Sequence, residues 1–305
     1  MNSLKILFLL LITCLYSSHS DGQSFFKSDS VFNKNRTIGV SITDGVLWAG
    51  SISALQFVWY DDFAKTDFHI FNDWNEWQQM DKAGHLLTSW NFSRAAGDLF
   101  EWSGINHKHA SLLGAAYSIG YMSTFELLDA FNADWGFSWS DVAFNSGGSL
   151  LYFGQEFFFN QQYVKLKFSC HLTDLSVLRP QVLGDSFLSR VFKDYNGQTY
   201  WMSFNPLNFF SQQKGVLPWL NLSFGYGIHD QLFGDGSVFI TGDPGATTTF
   251  VPYRQYFFSL DIDFEKIPVS KPWLKFVFRS LNVFKVPFPA VEFSSQGIRL
   301  RAIYF

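Results

Sequence analysis

The hydrophobic pattern changes period near residue 162, and that change constrains the fold more than any single motif. From about 35 to 160 the apolar residues recur at helical spacing. From about 163 they alternate. Val164, Leu166, Phe168, Cys170 and Leu172 alternate with Lys165, Lys167, Ser169 and His171. Leu220, Leu222, Phe224, Tyr226 and Ile228 alternate with Asn221, Ser223, Gly225 and Gly227. Tyr256, Phe258, Leu260, Ile262 and Phe264 do the same against Ser259, Asp261, Asp263 and Glu265. A period of two sends successive side chains to opposite faces of a strand. These segments therefore read as antiparallel strands with the apolar face buried and the polar face in water. Tyr200 to Phe204, Leu274 to Phe278 and Ile298 to Tyr304 are further candidate strands. Turn chemistry at Gly234-Asp235-Gly236 and Gly242-Asp243-Pro244-Gly245 separates such segments.

The expected fold class is α+β: a helical bundle over 35–160, then an antiparallel sheet or partial barrel over 163–305. In the helical half, an apolar stretch covers 38–60. Asp73 and Glu76 have N-cap and N3 spacing and predict a helix running to about Trp102. A third helix is expected over 108–131. Ser138 and Asp141 repeat the capping spacing and open a fourth, ending near Phe159. Helices joined by short loops read as a bundle. In the β half, alternating segments of about ten residues that end in the aromatic Phe305 resemble outer-membrane strands. Against that, Arg299 and Arg301 share the phase of Ile303 and Phe305. A membrane barrel and a sheet packed on the bundle both stay open.

The first twenty residues read as an address. Lys5 precedes an apolar run from Ile6 to Leu15, too short to cross a bilayer, and Ser18-His19-Ser20 sets up a cut before Asp21. A competing signal, Leu11-Ile12-Thr13-Cys14, has lipobox character and would make Cys14 the lipidated first residue. After cleavage before Asp21, Cys170 stands alone, so no intramolecular disulfide is expected.

Charged residues are 16% of the chain, against about 25% in an ordinary soluble domain, and aromatics are 20%. That balance excludes disorder and points to surface that faces lipid or a partner. The formal net charge of -4, without a basic stripe, excludes a nucleic-acid reader.

One constellation has the makings of a site. Asp81-Lys82-x-x-His85 puts Asp81 and His85 one helical turn apart. Glu126 and Asp129 share one face of the third helix. Asp141 and Asn145 lie a turn apart on the fourth, followed by Gly148. Unpaired buried charges cost several kcal/mol, so these groups are expected to converge. His85, Glu126 and Asp141 should share one contact shell, with Asp81 and Asn145 at its edge. Plainer readings accompany each: Asp141 as the N3 partner of Ser138, Asp81 with Lys82 as a solvated pair, Glu126 and Asp129 as a solvated helix end. His107-Lys108-His109 reads as a solvated loop.

The string Asp81, Lys82, His85, then Glu126 and Asp129, then Ser138, Asp141, Asn145 and Gly148 resembles the YfiM-like family of predicted periplasmic or outer-membrane lipoproteins. A similar order of residues occurs in VanZ-like membrane proteins. The resemblance covers about 75–155 and implies an envelope location, with no established reaction.

Glu-x-x-His pairs for a di-iron centre, the His-Glu-x-x-His zinc motif, Walker and Rossmann loops and Gly-x-Ser-x-Gly are all absent from the sequence. No cofactor is therefore expected, a single metal on His85, Asp81, Glu126 and Asp141 being the alternative. The leading expectation is a non-enzymatic, exported envelope protein at the outer membrane or in the periplasm, with membrane lipid and other envelope proteins as partners. The alternative is a hydrolase of envelope lipids or cell-wall precursors. In that case His85, Asp81, Glu126 and Asp141 would be catalytic, and Lys82, Asp129, Ser138, Asn145 and Gly148 would support them.

Overall fold

A computed structural model describes residues 26, 28–29, 31–55, 64–210, 218–242 and 247–305. The signal-peptide reading of residues 1–20, including Cys14, lies outside them. The chain is α+β. Helices α1 (Lys34–Leu55), α2 (Met80–Trp102), α3 (His107–Asp129) and α4 (Trp139–Phe159) come first. Strands β1 (Val164–Cys170), β2 (Gln198–Phe204), β3 (Leu220–His229), β4 (Phe239–Thr241), β5 (Thr248–Phe250) and β6 (Tyr253–Ile262) follow. Helix α5 (Pro272–Leu281) and strands β7 (Phe288–Ser294) and β8 (Gly297–Tyr304) complete the order.

Capping signals explain two of the helix starts. Asn106 accepts a hydrogen bond from the backbone of His109 (3.1 Å) and opens α3. Ser138 accepts from the backbone of Asp141 (3.1 Å) and opens α4. The Asp73 signal does not act this way. Helix α2 starts at Met80, because Trp77, Gln78 and Gln79 are all left-handed, with φ of 46°, 48° and 65°. Nor is His107-Lys108-His109 a solvated loop: it forms the first turn of α3, and His107 bridges Glu101 (3.0 Å) and Glu156 (2.9 Å).

Helix α2 packs against both α3 and α4, and small residues let it come close. A Cβ at Gly148 would collide with Ser89 Oγ and the Leu86 carbonyl; one at Gly114 would collide with the Ser93 carbonyl and the Gly97 nitrogen. Ser89, Ser93, Ser111, Ser118 and Ser149 are buried in these contacts, whereas Leu112, Leu113, Leu150 and Phe158 are exposed.

Six strands form one antiparallel sheet in the order β1-β2-β3-β6-β7-β8. The sheet curls. At its β1 edge, Phe168 receives the Val283–Lys285 segment, its N–H donating to the Val283 carbonyl (2.9 Å) and its carbonyl accepting from Lys285 (2.8 Å). From the β8 edge, Tyr304 reaches over to Thr199 of β2 (3.1 Å) and stacks on Phe257 at 4.2 Å between ring centres.

The faces of this sheet are reversed from the expected arrangement. Lys165, Lys167, Thr199, Ser203, Asn221, Ser223, Gln255, Ser259, Asp261 and Glu292 are buried. Met202, Phe224, Tyr256, Phe258, Leu260, Phe293, Ile298, Leu300 and Ile303 are exposed, Leu300 at 82%. Most of the inward polar row is satisfied within the protein, the Ser223 hydroxyl being the member of the row without a partner among the described residues. Lys167 pairs with Asp261 at 2.7 Å, Ser203 donates to Asp261 (2.7 Å), Lys165 pairs with Asp263 (2.8 Å), and Glu292 takes Arg301 (2.6 Å) and Gln255 (2.8 Å). At β1 the bundle covers part of the apolar face: Leu166 packs with Trp90 of α2 and Tyr152 of α4, while Val164 and Phe168 are half-buried.

Two smaller expectations change with the fold. A register shift between Phe288 and Ala290 breaks the β8 phase, so Arg301 turns to Glu292 while Ile303 stays outward. Leu274 to Phe278 is part of α5, not a strand. Pro272 at its first turn presets a helical φ, which outweighs the short alternation of Leu274, Phe276 and Phe278. Among the described residues, no helix is long and apolar enough to cross a membrane.

Candidate functional site

Three helix ends and one loop meet at one end of the bundle. The first turns of α2 bring Asp81, Lys82 and His85; the end of α3 brings Glu126; the start of α4 brings Asp141 and Asn145. The loop before α2 supplies Asp73. It is pinned along the 130–137 segment by hydrogen bonds from His69 to Ala130 (3.0 Å) and from Phe71 to Phe137 (3.0 Å).

Lys82 is the hub. Its side chain is 1% exposed, and Nζ lies 2.5 Å from Asp141, 2.6 Å from Asp73 and 3.0 Å from Asp81. The solvated Asp81–Lys82 pair is thereby excluded. Asp141 is more than a capping partner: its backbone serves the Ser138 cap while its carboxylate faces Lys82. Ser138 also donates to Asp73 at 2.7 Å, as does Ser140 at 2.8 Å.

His85 sits beside this hub, 18% exposed. Its Nδ1 is 2.9 Å from the Asn145 carbonyl oxygen and 3.6 Å from Glu126; its Nε2 is 3.6 Å from both Asp81 and Asp141. Nδ1 donates to Asn145, and the Asn145 amide in turn donates to Glu126 (3.3 Å). The geometry thus brings His85, Glu126, Asp141, Asp81, Lys82 and Asn145 together. Asp129 is half-buried a turn beyond Glu126, which excludes a solvated end for Glu126 itself, buried at 1% exposure. Gly148 lies two turns above Asp141 and acts through helix packing.

Two contributors escaped the sequence reading. The spacing of Asp73 predicts a helix cap, and its place opposite Lys82 depends on the loop path, which carries no local signal. Tyr195, from the segment before β2, donates to Asp81 at 3.0 Å and ties the sheet to the site. A ring contact between Trp77 and Tyr195, 5.4 Å between centres, links that tie to the left-handed turn. Three consecutive left-handed side-chain-bearing residues cost roughly 1–2 kcal/mol apiece. They are held by Gly234, whose carbonyl accepts from Trp77 (2.7 Å), by Gln231 against Gln78 (3.0 Å) and by Arg254 against Gln79 (2.8 Å).

The charges do not balance if every group is ionised, because two cations face four carboxylates. Burial opposes the His85 cation, yet Asp81, Asp141 and Glu126 outweigh it and raise its pKa to about 9. Burial pushes Glu126 up to about 8, against the pull of His85 and with Asp141, Asp129 and Asp81 adding to it. Burial also raises Asp141. Asp73 is held down to about 2 in spite of burial, by hydrogen bonds from Asp141, Lys82 and Ser138. Asp81 is lowered too: His85 and Lys82 overcome its desolvation. At neutral pH, then, Lys82 and His85 balance Asp73 and Asp81, Glu126 holds its proton, and Asp141, raised to about 7, is divided between its protonated and ionised forms.

Asp81, His85 and Asp141 each offer a ligand atom within 4.8 Å of the others, the spacing of a metal site. The Lys82 ammonium fits this donor set better than a metal does. It already touches both carboxylates, and a divalent ion between them would sit against a fixed positive charge.

Residues 70–154 match the sequence model of a family described as "Predicted periplasmic lipoprotein (DUF2279)". The match takes in Asp73, the whole cluster and the three helices that build it, and ends before the sheet. No curated protein and no solved structure matches the chain.

Proposed function

We propose that this chain is an exported cell-envelope protein held at the outer membrane, with the outer face of its sheet against lipid and a structural or interaction role there. One observation carries the reading: the sheet buries its charges and exposes Phe224, Phe258, Leu260, Phe293, Ile298, Leu300 and Ile303. Exposed apolar area on that scale marks an interaction surface, and a polar interior behind an apolar exterior is how outer-membrane sheets are built. Strands β3 and β6, ten residues each, are long enough to line a hydrocarbon layer. The family match over 70–154 supports export to the envelope. The finer YfiM-like and VanZ-like resemblance agrees with a membrane setting. Membrane lipid is the primary partner, other envelope proteins are secondary, and nucleic acid is not a partner.

The test is fractionation of cells expressing the full chain. Recovery with outer membranes, released by detergent and not by salt, supports the reading. Recovery as a monodisperse soluble monomer without detergent rejects it.

A second reading has its own support. His85 and Glu126 have pKa values of about 9 and about 8 and are joined through Asn145, with His85 partly open to solvent. Such a pair can exchange protons near neutrality, as a hydrolase of envelope lipids or cell-wall precursors requires. Loss of an envelope phenotype in Glu126→Gln and His85→Gln, with the fold and membrane recovery intact, favours this reading. Full function in both variants rejects it.

A further inference from the structure

The outward row of β6 begins with a charge. Arg254, Tyr256, Phe258 and Leu260 are all exposed on that face, so a guanidinium stands at the end of an apolar strip. Its placement is fixed by protein contacts. Nε donates to the Tyr226 hydroxyl (3.1 Å) and Nη2 to the Gln79 side chain (2.8 Å). Among the described residues, Nη1 has no protein partner. Gln79 is itself one of the three left-handed residues, so the strained turn serves to orient Arg254.

Arg254 lines an open groove of about 500 Å³ together with Gln78, Tyr253, Tyr256, Phe293 and Ser294. Arg254 is the one charged residue of that lining. Tyr253 and Ser294 line the groove at the Arg254 end of the strand, while Tyr256 and its cross-strand neighbour Phe293 lead out onto the apolar wall. The groove therefore joins a cationic, polar end to an aromatic one, beyond which the exposed row of β6 continues with Phe258 and Leu260.

We propose that this groove binds the phosphate headgroup of a membrane glycerophospholipid, whose acyl chains lie along Tyr256, Phe258 and Leu260. A planar guanidinium with a donor to spare matches phosphate oxygens. Tyrosine at the boundary between polar and apolar surface suits the headgroup level of a bilayer. The inference rests on the lipid-facing reading of the sheet and adds to it a defined headgroup site.

The full chain in nonionic micelles is titrated with dihexanoyl phosphatidic acid, with dihexanoylglycerol and with inorganic phosphate, and bound ligand is followed by native mass spectrometry. Saturable binding of one phosphatidic acid per chain is expected, with both other probes at least about tenfold weaker. Arg254→Ala should weaken phosphatidic acid binding by about tenfold or more, the scale of one charge-assisted hydrogen-bonded contact. Arg254 is exposed, and an unchanged circular dichroism spectrum checks that the variant folds. Equal binding by Arg254→Ala, or by dihexanoylglycerol, overturns the headgroup site. Free phosphate binding as tightly as phosphatidic acid overturns the lipid as its source. Membrane fractionation of the same proteins separates the two levels. A soluble parent chain overturns the lipid-facing wall, whereas a membrane-bound chain with an unselective groove overturns the headgroup site alone.

Discussion

The bundle and the sheet both bury polar side chains and expose apolar ones, yet they handle buried charge differently. In the sheet, three cations each have a carboxylate partner, Lys167 with Asp261, Lys165 with Asp263 and Arg301 with Glu292. Buried Lys285, among the described residues, bonds only Ser259 and the Val286 carbonyl, and burial lowers its pKa to about 8. At the end of the bundle, Lys82 and His85 face Asp73, Asp81, Glu126 and Asp141, so the excess of carboxyls is relieved by protonation, of Glu126 first and of Asp141 in part. Between them lies a seam of fixed charges: Arg94 and Arg279 share Glu265 (2.9 and 2.6 Å), and Arg279 also grips Asp98. A matched buried pair sets geometry and is indifferent to pH near neutrality. An acid-rich cluster is sensitive to it. The difference assigns scaffolding to the matched pairs of the sheet and proton exchange to the bundle end, with Lys285 as the pH-sensitive group of the sheet interior.

The largest effect expected is from breaking a sheet pair. Asp261→Ala leaves Lys167 buried without its counter-charge and should cost about 3–5 kcal/mol in denaturant unfolding, whereas Lys167→Met with Asp261→Leu should be near neutral. A loss under about 1 kcal/mol for Asp261→Ala would mean that the interior is wet and the comparison fails.

Next comes the outer face. Leu300→Arg should lower membrane incorporation by as much as about 2–4 kcal/mol if position 300 lies in hydrocarbon. At a water-facing position the same change stays within about 0.5 kcal/mol. Quantifying the membrane-bound fraction of the variant distinguishes the two.

The smallest effect in absolute terms is the most specific to the bundle. Glu126→Gln should shift stability by no more than about 1 kcal/mol at pH 5, because Glu126 is protonated there in the fold. Its effect is on the pH profile. The folded state keeps the Glu126 proton up to about 8, while the unfolded chain releases it near its ordinary 4.5, so the parent loses stability as pH rises across that window. His85 acts in the same direction: its contribution is full below 6.5 and lost as pH passes about 9. Asp73 works oppositely, with stability present above 3.8 and lost toward about 2. Thermal unfolding from pH 4 to 9 should therefore slope downward in the parent and more gently in Glu126→Gln. Parallel profiles would contradict the protonated state assigned to Glu126.

The sequence made the fold class legible, because the period switch at 162 coincides with the passage from α4 to β1. It also brought out the cluster, since charges spaced by one turn on three apolar helices have few places to go but toward one another. It could not settle which strand face is inside. Alternation groups Lys165 with Lys167 and Leu166 with Phe168, but only the layer packed opposite decides which group is covered. Here the curl of the sheet lets Asp261 and Asp263 meet the lysines across two intervening strands. Asp73 illustrates the same limit on a smaller scale. Its capping spacing was genuine, yet the left-handed turn at 77–79 and the pull of Lys82 redirected it.

The lipid-facing wall is tested most directly by site-specific labelling in native-like bilayers. With Cys170 replaced by alanine, single cysteines at Phe258 and Leu300 are labelled with a small fluorophore, and a third at Lys193, in the connection between β1 and β2, serves as reference. Quenching is compared between nitroxide-labelled acyl chains and aqueous iodide. The wall predicts strong acyl-chain quenching and weak iodide quenching at 258 and 300, with the opposite order at 193. Iodide quenching at 258 and 300 equal to that at 193, with no response to the nitroxide lipids, would contradict it.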